Sequence, residues 1–503
     1  MPEHKPLKDA PTSCAERWFK LSENNTTVRT EIAAGLTTFL TMAYIIFVQP
    51  AVLSGSMFGF STGIDFGAVT FATCVAAAIA TATMGLYARY PIALAPGMGV
   101  NFFFVFSILP AAAAAGFEAP WQTALGIVFI SGVLFLLISL TSFRTQLIHA
   151  LSPSMKNGIT VGIGLFIAFI GLQNTGLIIT GASIIPSDPP TLASGTLVKL
   201  NPQFSSPDLL IFFCWPSSHE RTPCAAKMGS VLWGILGSGA LAILLRLALP
   251  ELAPGIWELP VVQSSALATK LTLPSTATPV WQWFFSKPPS PAPVALRFDL
   301  IGALSVTMWP FILIFLFMDM FDTIGTLVGI AEQAGFIKND KLPRAKEALL
   351  ADAVGTVVGA SLGTSTVTSF IESATGVEQG GRTGLTSLTT ALLFILALFF
   401  SPLIELIGSY PPITAPALVT VGALMMQNVT KITWNDPSEA IPAFLILLGI
   451  PLSFSIGDGL ALGFISYPII KLLSGRGRET SWLMYILAAI LLAYFILIRA
   501  RLG

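Results

Sequence analysis

Gly363-Thr364-Ser365-Thr366-Val367-Thr368-Ser369-Phe370-Ile371-Glu372 stands between apolar runs as a short polar interruption. Ala93-Leu94-Ala95-Pro96-Gly97-Met98-Gly99-Val100-Asn101, leading into Phe102-Phe103-Phe104, does the same in the first half of the chain. What surrounds them decides what such interruptions mean. Of 503 residues, 54% are hydrophobic and only 10% charged, with a mean hydropathy of +0.78. A soluble domain carries roughly 25% charged residues, so this surface is not built for water. Apolar runs of about 20 residues, each long enough for a bilayer core of roughly 30 Å, recur from Thr30 to Ile498. Inside lipid such runs satisfy their own backbone only as α-helices. The fold class is an all-α polytopic membrane protein.

Working outward from the interruptions, the first half is expected to span near 31–54, 67–87, 98–115, 121–142 and 159–173, with a weak sixth span from Leu209 and a seventh over 228–249. The second half is expected to span near 301–321, 349–363, 367–376, 383–403, 413–429, 440–454 and 459–472. Fourteen spans as two sets of seven follow, and an odd number per set gives the two repeats opposite orientations. Each repeat carries one interrupted segment about two spans after its start, the arrangement that marks a transporter's substrate site. Close helix packing by small residues is the alternative use of such segments. The domains are then a cytoplasmic tail at 1–29, a first repeat at 30–249, a Pro-rich extracytoplasmic loop at 250–300, a second repeat at 301–473, and a basic segment with a C-terminal apolar helix at 474–503.

Basic residues orient the chain. Lys5, Lys8, Arg17, Lys20 and Arg29 precede the first span and put the N-terminus in the cytoplasm. Alternation brings Arg89, Arg144, Lys156, Lys338, Lys341, Arg344 and Lys346 to the same side of a plasma (inner) membrane. Residues 481–498 are either a further crossing or a helix lying against the membrane. The first 29 residues lack the apolar core of a cleavable signal peptide.

The 26 basic and 26 acidic residues balance, which gives no footprint for nucleic acid. Cys14, Cys74, Cys214 and Cys224 show neither metal-ligand nor disulfide-framework spacing, and His4, His149 and His219 form no cluster. No cofactor, no metal and no enzyme chemistry are expected.

A carboxylate at the bilayer centre costs about 2.5–3.5 kcal/mol on insertion scales, so each one there needs a reason. Asp319 and Asp322 are three positions apart at the end of the apolar run 311–320 and project from neighbouring parts of one helix face. Asp352 lies in the following span and Glu372 in the interruption. The Lys and Arg between them belong to the loop 338–346, and Arg382 is the nearest outside it. Buried carboxyls without cations bind protons, and a carboxyl also matches the N–H and C=O edge of a heterocyclic base. One cluster then serves substrate and coupling ion together. Asp352 equally suits a helix cap or brace. Asn101 occupies the mirror position in the first repeat, free either to bond a base or to tie the two interruptions together. Phe102, Phe103 and Phe104 offer a stacking face for a flat ring, or else packing.

These residues resemble a known family. Residues 31–46 (EIAAGLTTFLTMAYII), 95–101 (APGMGVN), 317–323 (FMDMFDT), 363–377 (GTSTVTSFIESATGV), 380–385 (GGRTGL) and 455–459 (SIGDG) look like the AzgA-like purine permeases of the nucleobase–cation symporter superfamily. The resemblance runs from about Glu31 to Arg478. It implies fourteen spans in two inverted repeats divided into core and gate domains, and import of adenine, guanine or hypoxanthine by proton symport. It assigns substrate binding to Asn101, Asp319, Asp322, Glu372 and Thr375; the carboxyls themselves add proton coupling at Glu372 with Asp319 or Asp322, and Phe102 adjoins as part of the ring's enclosure. The partners implied are a purine nucleobase, protons and the bilayer, with a homodimer as an assembly the family permits. One departure stands at 214–224 (CWPSSHERTPC), where prolines and polar residues interrupt the sixth span. An anion transporter of the same inverted-repeat architecture is the alternative, although unpaired carboxylates argue against it. A channel or a membrane-embedded enzyme finds no filter repeat, nucleophile–base pair or metal cluster here.

Overall fold

The computed structural model describes residues 14–141, 151–180, 184–185, 191–192, 198–219, 230–271, 273, 279–336 and 342–496. Thr27 caps the first long helix, α1 (Val28–Met42), by accepting from the Thr30 N–H at 3.2 Å. The helix passes through Ala43 into α2 (Tyr44–Leu53), which contains Pro50. Asp65 caps α3 (Phe66–Thr83) at 2.8 Å. A wide turn over 84–88 leads into β1 (Leu94–Pro96) and the short α4 (Met98–Phe103). Two long helices follow, α5 (Pro120–Leu140) and α6 (Pro153–Asn174).

Beyond α6 come β2 (Ile178–Thr180), β3 (Ile184–Ile185), β4 (Thr191–Leu192) and β5 (Val198–Leu200), with β2 paired to β5 and β3 to β4. The chain re-enters helix as α7 (Pro207–His219) and α8 (Ser230–Leu252). The described residues of the Pro-rich loop make short helical turns; Asp208 holds one of them by accepting from the N–H groups of Ala266 at 2.7 Å and Leu267 at 3.0 Å. The second half runs α9 (Trp309–Ala334), α10 (Ala345–Leu362), β6 (Val367–Ser369), α11 (Ser373–Glu378), α12 (Gly384–Ala397), α13 (Pro411–Met426), α14 (Pro437–Ser453), α15 (Ile456–Leu473) and α16 (Trp482–Tyr494). Among the described residues, nine helical stretches are long and apolar enough to cross a bilayer. The protein is a multi-pass membrane protein.

Packing falls into two groups. In one, α10 lies against α3 and α5, α12 against α1 and α3, and α9 against α5. In the other, α6 packs on α13 and α14, and α14 on α15. Glycine lets backbones touch within both groups. A Cβ on Gly384 would stand 1.8 Å from the Gly85 carbonyl oxygen, and one on Gly422 2.4 Å from that of Gly164.

Two buried charges fasten helix ends. Glu31 is fully enclosed, and its carboxylate accepts from the N–H groups of Arg382 (2.9 Å), Thr383 (3.3 Å) and Thr386 (3.2 Å) and from the Thr386 hydroxyl (2.6 Å). It thereby serves as a cap supplied from another helix for the N–H groups that open α12. Lys471, only 1% exposed, pairs with Glu439 at 3.0 Å and Glu479 at 3.1 Å.

Several sequence expectations shift. The span expected at 301–321 begins instead at Trp309 and runs to Ala334, because the apolar pattern continues through Thr323–Ala331. Asp319 and Asp322 therefore sit in mid-helix rather than at its end. The helix of the second interruption starts at Ser373, not near Val367; the β-branched Val367-Thr368 segment pairs as a strand first. In the sixth span the helix persists through Pro216 to His219, while residues 220–229 lie outside the described part. Helix α16 packs along α15, and residues 497–498 of the segment expected at 481–498 lie outside the described part.

Candidate functional site

The two interruptions meet. β1 and β6 pair antiparallel with Leu94 opposite Ser369, Ala95 opposite Thr368 and Pro96 opposite Val367. The Gly97 N–H donates to Thr366 O at 3.0 Å and the Phe370 N–H to Ala93 O at 3.0 Å, so the pairing continues past both strands. Non-helical backbone survives at membrane depth only when protein satisfies it, and each interruption here satisfies the other.

Strand edges facing away from this pair need partners too. The Thr81 hydroxyl of α3 accepts from the Leu94 N–H (2.8 Å) and donates to Leu94 O (2.9 Å). In the second half the Thr356 hydroxyl of α10 stands in the same relation to Val367, 3.2 Å from both its N–H and its C=O. A hydroxyl, being donor and acceptor at once, suits an isolated strand residue.

Asn101 closes a ring of amides and hydroxyls. Its Nδ2 donates to Gln49 Oε1, and its Oδ1 accepts from the Ser365 hydroxyl. Gln49 Nε2 donates in turn to Ser365 Oγ at 3.1 Å and to Thr364 Oγ1 at 2.8 Å. All four residues are fully buried. Of the two uses open to Asn101, the arrangement realises the tie between the interruptions. Phe102 is likewise enclosed, ringed by Phe58, Phe106 and Phe166, and Phe103 packs on Phe311 and Phe315.

The carboxyls gather beside this crossing, each with a neutral hydroxyl donor. Thr356 lies 3.0 Å from Asp319 Oδ2, Thr368 3.4 Å from Asp322 Oδ2, Thr323 2.7 Å from Asp352 Oδ1 and the Tyr44 phenol 2.9 Å from Glu372 Oε1. Among the described residues no Lys or Arg pairs with any of the four. Arg382 turns away, donating to the carbonyls of Val377 (2.6 Å) and Gly381 (2.8 Å). Asp319 Oδ1 and Asp352 Oδ2 are buried with no hydrogen-bond partner among the described residues.

Exposure sorts the set. Asp319, Asp352, Asn101 and Phe102 are buried, whereas Asp322, Glu372 and Thr375 are half-buried and border accessible space. Thr375 donates to Glu372 O at 2.7 Å and lies 3.1 Å from the Thr41 hydroxyl. Thr41 and Tyr44 thus bring the break in the first span onto the start of α11. Sequence reasoning gave neither of them a role, although both fall in the 31–46 stretch. Thr356 and Thr368 carry no local signal, because their partners lie far off in the chain, whereas Gln49 stands out as a lone amide in an apolar span. No group of three or more His, Cys, Asp or Glu that would hold a metal ion occurs among the described residues.

Comparison with known proteins extends this picture. Residues 29–461 match the Xan_ur_permease family, described as the Permease family. The chain is 41% identical over 485 residues to the guanine/hypoxanthine permease PbuG of Bacillus subtilis (strain 168), covering 96% of this chain and 99% of that one. It is 38% identical over 488 residues to the adenine permease AdeP of Escherichia coli (strain K12), with 97% of each covered. In fold it resembles the transmembrane domain of the cyanobacterium bicarbonate transporter BicA, at a TM-score of 0.53 and 14% identity over 85% of this chain and 96% of that one.

Proposed function

The chain belongs to the Permease family and is a membrane carrier rather than an enzyme, and from that premise we propose that it imports purine nucleobases (adenine, guanine or hypoxanthine) by proton symport. The observation that carries this reading is the carboxyl cluster, which is supplied with hydroxyl donors and left without cations. Half-buried Asp322, Glu372 and Thr375 offer hydrogen-bonding groups to the N–H and C=O edge of a purine. Asn101 and Phe102 contribute from behind, fixing the crossing and the apolar wall. Glu372, Asp319 and Asp322 carry the coupled proton, since a carboxyl in a dry interior with no cation holds one. The relatives that transport guanine, hypoxanthine and adenine support the substrate class.

In this reading fourteen spans form two inverted repeats, 30–249 and 301–473, joined by the loop 250–300, with the N-terminus cytoplasmic. The group holding α1, α3, α9, α10 and α12 is the core domain, and the group of α6, α13, α14 and α15 is the gate. Alternating access comes from one moving against the other. A homodimer is the assembly such a gate would build. The likeness to BicA favours a second reading, an anion transporter, at the level of fold.

The test is uptake of radiolabelled hypoxanthine, with unlabelled purines, pyrimidines, sulfate and bicarbonate as competitors, with and without a protonophore. Purine competition that collapses on adding protonophore is expected. Glu372→Gln should reach the membrane but lose proton-driven accumulation. Unchanged accumulation of every purine in that variant defeats the coupling role, and competition by bicarbonate or sulfate alone defeats the substrate class.

A further inference from the structure

The two interruptions are braced by threonines in equivalent roles, with one difference between them. Thr81 serves Leu94 alone: its single hydroxyl proton goes to Leu94 O, and its oxygen accepts from Leu94 N–H. Thr356 meets the same demand from Val367 but faces a second acceptor, Asp319 Oδ2, at 3.0 Å. One hydroxyl has one proton to give, and here it stands 3.2 Å from Val367 O and 3.0 Å from the carboxyl. The side chain is not free to turn away. Its methyl group is seated so closely on α5 that a Cβ on Gly132 would lie 2.8 Å from it, and a β-branched side chain is stiff at χ1.

We infer that Thr356 is a positioning residue that ties the charge state of Asp319 to the pairing of strand β6. With Asp319 ionised, the hydroxyl proton turns to Oδ2, and Val367 O is left without its donor. When Asp319 takes up a proton on Oδ2, the carboxyl becomes the donor to Thr356 Oγ1. The hydroxyl proton then closes onto Val367 O, while Oγ1 still accepts from Val367 N–H. No atom is lost and one proton is gained, held by Asp319. A proton bound on α9 is thereby felt by β6, whose next residues lead to Thr368, the partner of Asp322, and on to Glu372. In the first repeat Thr81 has no carboxyl to answer to.

The charged neighbours of Asp319 are few. Asp322 on its own helix and Asp352 on α10 lie within electrostatic range, and Glu372 before α11 faces Asp322. Helices α4 and α5 and strand β6, which pack on α9, carry no titratable side chain. Lys156 of α6 and Lys346 and Glu347 of α10 stand in the first turns of their helices and Glu378 at the exposed end of α11. Tyr485 of α16 donates to Gly477 O at 3.0 Å.

The inference rests on proton symport, and the mirror threonine separates the two. In vesicles, a one-unit pH gradient corresponds to about a tenfold accumulation ratio per proton. Wild type and Thr81→Val should both respond to that gradient. Thr356→Val loses the same strand bonds as Thr81→Val and the carboxyl contact besides, so its gradient response should fall to about twofold or less, with Thr356→Ser restoring it. Equal coupling in Thr356→Val and Thr81→Val overturns the inference, leaving the hydroxyl as a strand brace. A wild type indifferent to the gradient instead overturns symport. Should Thr356→Val not reach the membrane, amide exchange in wild type decides. Protection of 364–370 relative to 91–97 should rise on acidification once intrinsic rates are corrected, and a constant ratio refutes the link.

Discussion

Removing the Glu31 carboxylate should loosen the docking of α12 on α1, and the amount follows from its partners. Glu31→Ala leaves the N–H groups of Arg382 and Thr383 without an acceptor, while the Thr386 N–H keeps Thr383 O at 3.3 Å and its hydroxyl keeps the Glu31 backbone oxygen at 3.3 Å. A buried donor left unsatisfied costs about 1–3 kcal/mol, so two bound the loss at about 2–6 kcal/mol. Water reaching the helix end would bring the value to the lower half of that range. Glu31→Gln tests the cause rather than the size. An amide oxygen in place of Oε2 keeps the contacts to Thr383 and Thr386, whereas its NH2 group meets the Arg382 N–H, donor against donor. One bond is lost, about 1–3 kcal/mol. Reversible unfolding in mixed micelles, titrated with SDS, reads both differences. A Gln variant as damaged as the Ala variant would refute the counting of donors. Two variants within about 0.5 kcal/mol of wild type, the usual range of a neutral surface change, would refute the capping role.

Gly384→Ala should fail to give folded protein, since its Cβ would stand 1.8 Å from the Gly85 carbonyl oxygen, and neither α3 nor α12 can yield without losing its other contacts; a normal monodisperse yield in size-exclusion chromatography contradicts this. Lys471→Met strands Glu439, whereas Glu479 keeps Arg476 at 2.8 Å, and breaking a buried pair costs about 3–5 kcal/mol. Adding Glu439→Gln should recover at least half of the lost thermal stability, and no recovery would place the loss elsewhere.

Much of this was legible from the chain. Apolar runs, their lengths and the two polar interruptions require a helical membrane protein with something built at 93–101 and 363–372. The carboxyls announce themselves because an acidic residue amid Phe311–Met320 has no cheaper explanation. What stayed hidden depends on partners distant in sequence. Val367-Thr368-Ser369 is three residues long, too short to show a period, and is a strand only because Leu94–Pro96 lies beside it. Thr81 and Thr356 look like any small residue in a membrane helix until the strand edges they satisfy are in view. Gln49, a lone amide in an apolar span, was the one detectable signal for the ring around Asn101. The helix carrying Asp319 and Asp322 runs on to Ala334: Thr323-Ile324-Gly325-Thr326 reads as a boundary by polarity, yet Ile, Leu and Val resume behind it.

The crossing of β1 with β6 also bears on how the chain is made. Asn101 and Ser365 are 264 positions apart, so the first interruption leaves the ribosome long before its complement exists. Until then its backbone must stay in the water-lined insertion machinery or be shielded by a chaperone. Chains cut short ahead of residue 367 would keep bare peptide groups in the bilayer and be cleared by proteolysis. Each half acts as the other's assembly template, so a fragment of either should persist only when co-expressed with its counterpart.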